Sequence, residues 1–173
     1  MARSPAVLLL LMSIAVACRP SPGPSDAAMS DADRTALADT VRMLSQGIFD
    51  GASGVDLDAT FRRFGTGDNA AHLNGGQRYT RDSLASLYRS VFANLQRQEI
   101  VPDAPTVTVL GRDAAVYSTR GHFVATPKTG APLSSDAAWT FVWVRMNGEW
   151  TLLHSHQSTP QPLPAPQVAA SGR

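Results

Sequence analysis

The sequence predicts an α+β fold, with helices first and a long antiparallel sheet after them. Three observations carry this. Leu37, Val41, Leu44 and Ile48 recur at helical spacing near the start of the folded region. Extended, β-rich segments dominate after Pro105. Two of these flank Asn147-Gly148, a pair suited to the two positive-φ positions of a type I′ turn.

Taken in order, Ser30 is placed to cap the first helix, with Asp31 and Asp33 favourable in its first turn. Gly51 and Gly54 end it. Asp56 opens a short second helix, with Leu57, Phe61 and Phe64 on one side and the solvated pair Arg62 and Arg63 on the other. Residues 70–73 and 77–79 form a small hairpin around Asn74-Gly75-Gly76. Thr80 caps a third helix with the stripe Leu84, Leu87, Tyr88, Val91 and Leu95, closed off by Pro102 and Pro105. Strands are then expected over 106–110, 114–125, 133–145 and 150–158. Gly111-Arg112-Asp113 turns the first pair, and Pro127, Gly130 and Pro132 mark a longer loop.

The two-residue bend at Asn147-Gly148 sets a register. Met146 faces Glu149, Arg145 faces Trp150, Trp143 faces Leu152, Phe141 faces His154 and Trp139 faces His156. Alternation then places all three tryptophans on one face with Phe141, Leu152, His154, His156 and Ser158. Arg120 and His122 fall on the face opposite Tyr117 and Phe123.

The ends read differently. Arg3 precedes an apolar run over 6–16, too short to span a bilayer, and Ala15-Val16-Ala17 precedes Cys18, the only cysteine. This resembles a bacterial lipoprotein signal, although Ala15 stands where such signals usually carry Leu; Ala15-x-Ala17 also fits ordinary secretory cleavage. We expect a signal peptide over 1–17, a Pro- and Ser-rich tether over 18–29, one domain over 30–158 and a Pro-rich tail over 159–173. Lipidation of Cys18 would anchor the protein at the periplasmic side of the cell envelope. With 15 basic and 14 acidic residues and no basic stripe, nucleic acid is an unfavoured partner.

The element order resembles the nuclear transport factor 2-like superfamily (a cystatin-like α+β cone), above all its SnoaL-like bacterial branch. The residues that carry the likeness are the first helix, Asn74-Gly75-Gly76 through Tyr79-Thr80, Ala114-Ala115-Val116, and the run from Gly148-Glu149-Trp150 to Ser158. The resemblance implies N-terminal helices packed on a curved antiparallel sheet, with a pocket between them. It also implies that relatives such as ketosteroid isomerases and SnoaL-type cyclases use an inward carboxylate as base.

For this chain the expected pocket residues are His154, His156, Trp139, Phe141, Tyr88 and Tyr117. The histidines would be polar points in an apolar pocket, or else core histidines with a structural hydrogen bond. The acids of the last hairpin, Asp136 and Glu149, fall on the opposite face, so only Asp56, Asp58 or Asp68 could reach the pocket mouth. His154-x-His156 with His122 or His72 lacks diagnostic metal spacing, so neither metal nor cofactor is expected. No Ser-His-Asp spacing, phosphate loop or dinucleotide fingerprint is evident. The expected function is a small-molecule-binding or accessory domain for an apolar or aromatic ligand. The alternatives are a cofactor-free isomerase or cyclase with a histidine base and a tyrosine donor, and a homodimeric interaction module built on the sheet's outer face.

Overall fold

The computed structural model describes residues 29–160 of the 173-residue chain. The expected signal peptide, Cys18, most of the tether and nearly all of the tail lie outside the described residues. The first helix, α1 (Asp31–Ser53), is capped by the Ser30 side chain, which accepts from the Asp33 N–H, and it ends at Gly54. Leu37, Val41, Ile48 and Phe49 line its buried face. Asp56 caps α2 (Leu57–Phe61) by accepting from the Ala59 N–H. Each such cap satisfies an otherwise orphaned donor and is worth about 1 kcal/mol.

Strands β1 (Ala71–Asn74) and β2 (Gln77–Tyr79) form the small hairpin. Gly75 and Gly76 sit at its tip with φ of 57° and 79°, a region costly for other residues. Thr80 caps α3 (Arg81–Asn94) in a reciprocal capping box with Ser83. The helix stops at Asn94, eight residues short of Pro102. Residues expected to continue it form a strand instead, β3 (Leu95–Pro102), which pairs antiparallel with β5. The sheet is completed by β4 (Thr106–Gly111), β5 (Ala114–Pro127), β6 (Leu133–Met146) and β7 (Glu149–Ser158).

The strand order is β2-β1-β7-β6-β5-β3, with β4 also on β5. The sheet is mixed rather than wholly antiparallel, because β1 runs parallel to β7. Helix α1 contacts β3, β4 and β5, so the helices cover one face of the sheet. The core between them is built from Phe49, Tyr117, Trp139, Phe141, Trp143 and Leu152, each at most 4% exposed. Phe49 meets Trp139 edge-on at 5.2 Å, and Tyr117 stacks on Phe141 at 5.7 Å. The indole of Trp143 is fully buried and donates to Ser45 Oγ at 3.0 Å, so its one polar atom is satisfied.

The Asn147-Gly148 bend forms as expected, with φ of 52° and 83°. Pairing follows the expected register from Met146–Glu149 through Trp143–Leu152 and then breaks. Val142 pairs with His154, leaving Leu153 as an extra residue on β7. Beyond this bulge Phe141 faces Ser155, Thr140 faces His156, and Trp139 faces Gln157. The pairings Phe141–His154 and Trp139–His156 are therefore corrected. The bulge lies where β7 changes its other neighbour. Before it, Leu152 exchanges hydrogen bonds with Arg63 and Gly65; after it, His154 pairs with Ala71 of β1.

Candidate functional site: an uncharged cavity under the helices

One residue of slip exchanges the two faces of a strand. After Leu153, Ser155 and Gln157 share the face of Trp139 and Phe141, while His154, His156 and Ser158 join Thr140 and Val142 on the other face. The side chains follow this pattern. Ser155 is buried, His154 is half-buried and His156 is exposed. The tryptophans and Phe141 point under the helices as expected; the two histidines and Ser158 do not.

A cavity of about 330 Å³ lies between the sheet and the helices. Its wall is mainly aromatic and aliphatic: Phe49, Phe61, Phe64, Trp139 and Phe141, with Leu84, Tyr88 and Ile100. Leu87 and Val91 line it from α3 while remaining 39% and 43% exposed, so the apolar stripe of α3 reaches the mouth. The polar wall residues are Thr60, Asn74, Gln98, Ser155, His156 and Gln157. Among the described residues that line it, none is Asp, Glu, Lys or Arg. Asp56, Asp58 and Asp68 do not reach it, and Asp56 is occupied as a helix cap. Of the expected pocket residues, Trp139, Phe141 and Tyr88 line the cavity. Tyr117 is packed behind Phe141 in the core, and His154 lies outside. His156 belongs to the wall, but its partner Thr140 and its exposure place the imidazole on the outer side, so its contribution is that of the strand itself.

Three polar links organise one side of the cavity. Tyr88 donates from its hydroxyl to Gln157 Oε1 at 2.9 Å. Burial pushes the Tyr88 phenol up to about 12, so it stays protonated at neutral pH. Gln157 in turn pairs with Asn74 across the parallel β1–β7 ladder, which brings two amide side chains to one end. Behind Ser155 lies His72, fully buried, with Nδ1 3.0 Å from Ser155 Oγ and Nε2 3.3 Å from the Gly65 carbonyl oxygen. Its ring packs on Phe64 at 4.8 Å.

Burial is the main reason the His72 pKa is lowered. The hydrogen bond to Gly65 opposes this, while His154 and Arg81 add to it. His154 is also lowered, first by burial and then by His156. By its sequence position His72 suggests only a possible metal ligand; its place beside Ser155 depends on the β1–β7 pairing. Among the described residues, no group of three or more His, Cys, Asp or Glu converges as a metal site would require.

The sheet also aligns three residues that sequence spacing did not suggest. On its outer face, Ser134 Oγ lies 2.8 Å from His122 Nε2, and His122 Nδ1 lies 3.0 Å from Asp136 Oδ1. The β5–β6 register sets His122 opposite Asp136. All three are exposed, so water competes for every one of these bonds. Arg63 is corrected too: it donates to the Trp150 carbonyl at 3.3 Å rather than standing free on a helix face.

An α+β domain with helices over a mixed, mostly antiparallel sheet and a cavity between them is the architecture of the nuclear transport factor 2-like superfamily. The SnoaL-like domain family matches residues 41–162, and the chain belongs to that family. Solved structures agree on the fold. A nuclear transport factor 2-like superfamily protein from Salmonella enterica aligns with a TM-score of 0.67 at 17% identity, over 78% of this chain and 98% of that one. A type 2 hexachlorocyclohexane dehydrochlorinase aligns at 0.65 and 16%, over 83% and 100%. A protein of unknown function from Pseudomonas putida aligns at 0.63 and 16%, over 79% and 92%. No curated protein matches the chain.

Proposed function

We propose that this SnoaL-like domain is a binding module for a small, neutral, apolar molecule held between α1, α3 and the sheet. The observation that carries this is the cavity wall, aromatic and aliphatic on most sides and without Asp, Glu, Lys or Arg among the described residues that line it. Small-molecule sites are typically built this way, with a few polar atoms fixing orientation. A volume of about 330 Å³ is at the lower end of the range for such sites, which favours a ligand of one or two rings. A histidine-base isomerase finds less support. His154 and His156 face outward, and both nitrogens of His72 are engaged within the protein. We further propose that Cys18 is lipidated, which would hold the module at the envelope; the mass of the mature N-terminus tests this.

Binding is tested by thermal unfolding with a neutral probe, biphenyl. A ligand that binds only the folded state at about 100 times its Kd stabilises it by about 2.7 kcal/mol. Ile100→Trp, which partly fills the void, is expected to remain folded and to weaken the shift. An equal shift in the filled variant, or no shift from any neutral apolar probe, would refute the reading.

A further inference from the structure

We infer that the cavity selects ligands carrying a hydroxyl group, because Ser155 presents to it an oxygen acceptor and not a free O–H donor. The inference rests on the binding reading above and names the chemistry of its ligand. The Gly65 carbonyl can only accept, so the imidazole nitrogen 3.3 Å from it carries the ring proton. In a neutral imidazole the other nitrogen is then bare and needs a donor. Ser155 Oγ, 3.0 Å away, supplies it. Turned over, the ring would set carbons at both places, so the two contacts fix its orientation as well as its tautomer. The Ser155 hydrogen is thus committed to His72, and lone pairs on its oxygen remain for a ligand.

The next inward residue on β7 leads to the same conclusion. Tyr88 spends its hydrogen on Gln157 Oε1, which leaves the Tyr88 oxygen as an acceptor and the Gln157 amide NH₂ as a donor. A hydroxyl group can donate to one oxygen and accept from the amide. An ether or ketone can only accept. Such a ligand could take the Gln157 amide but would leave the Ser155 and Tyr88 oxygens without a donor, unless Ser155 turned from His72 and left a nitrogen of a fully buried ring unpaired. His72 therefore acts as a positioning residue for Ser155.

The test compares biphenyl, 4-methoxybiphenyl and 4-hydroxybiphenyl on the full-length protein at pH 7.5, with Kd from calorimetric titration. Hydrophobicity alone would favour the ether over the phenol. The inference expects the reverse, with the phenol binding about tenfold tighter or more. In Ser155→Ala, or in Tyr88→Phe should the first variant fold poorly, that ratio is expected to shrink to about twofold or less. If the ether binds as tightly as the phenol, the hydroxyl preference is wrong while the cavity reading stands. If neither they nor biphenyl binds, the binding reading itself fails. A phenol preference untouched by both substitutions would place its origin elsewhere and overturn the roles given to Ser155 and Tyr88.

Discussion

The buried histidine behind Ser155 makes stability depend on pH in a way that can be worked out beforehand. His72 has a lowered pKa in the fold, from an ordinary value near 6.5, because burial penalises its charged form. Below pH 6.5 the unfolded chain binds a proton at this position that the folded chain resists. Stability is therefore full above 6.5 and falls as pH drops, until the folded-state pKa is reached. The slope for one group cannot exceed about 1.4 kcal/mol per pH unit. With an unfolded-state value near 6.5, the loss between pH 7.5 and pH 5 is at most about 2 kcal/mol. His154 shifts in the same direction and adds a smaller loss, since it is only half-buried.

The perturbation is His72→Asn, whose carbonyl oxygen can still accept from Ser155. The variant loses the bond to Gly65 and the ring contact with Phe64, and we expect a cost of about 2–3 kcal/mol at pH 7.5. It also loses the titrating group, so the gap between variant and wild type should narrow as pH falls from 7.5 to 5, by at most about 2 kcal/mol. Urea unfolding followed by tryptophan fluorescence is suited to the measurement, since all three indoles are buried. Stopping at pH 5 stays above ordinary carboxylate titration. A gap that is the same at both pH values would refute the placement of a neutral, proton-resisting His72 in the core.

Other outcomes follow from the same geometry. Deleting Leu153 removes the bulge but leaves His154 opposite Val142 and Ser155 opposite Phe141 in an unbroken ladder; we expect Ser155 and Gln157 to stay inward, with a loss of about 1–3 kcal/mol from the altered bend of β7, read by urea unfolding with near-ultraviolet circular dichroism. A soluble deletion variant of native stability would show that the bulge is dispensable. Gly121→Ala should cost about 2 kcal/mol in urea unfolding, because a Cβ there would lie 2.8 Å from the Pro102 Cα and against the Val101 carbonyl; wild-type stability would mean that β3 yields. Ser134→Ala should leave stability within about 0.5 kcal/mol. It should also leave the hydrolysis of p-nitrophenyl acetate unchanged, since its partners His122 and Asp136 are exposed. A serine-dependent rate would move the chemistry to the outer face.

Local signals in the sequence were read correctly where the chain decides its own conformation. Ser30, Asp56 and Thr80 cap the three helices, and Asn147-Gly148 makes the hairpin, because each needs only neighbours a few residues away. The burial of Trp139, Phe141 and Trp143 followed from alternation. Strand β3 was missed because Leu95 extends the helical stripe of α3, and only pairing with β5 draws residues 97–102 into the sheet. The parallel β1–β7 contact was missed for a similar reason: residues 71–74 and 154–157 carry no local sign that they will meet. Both features are set by tertiary contacts that outweigh local propensity.

The bulge belongs to the same class, and it decides the chemistry of the site. Up to Leu152 the register is set by the turn. Past Leu153 it is set by β1, through a bond between His72 and Ser155 that spans 83 residues of sequence. A strand caught between two registers resolves the mismatch with one extra residue. That residue exchanges two imidazoles for a serine and a glutamine at the cavity wall. The two imidazoles are left on the outer face, and the one kept inside is held neutral behind Ser155. The polar atoms that a ligand meets then carry no charge near neutral pH, and above pH 6.5 binding of a neutral ligand should not vary with pH.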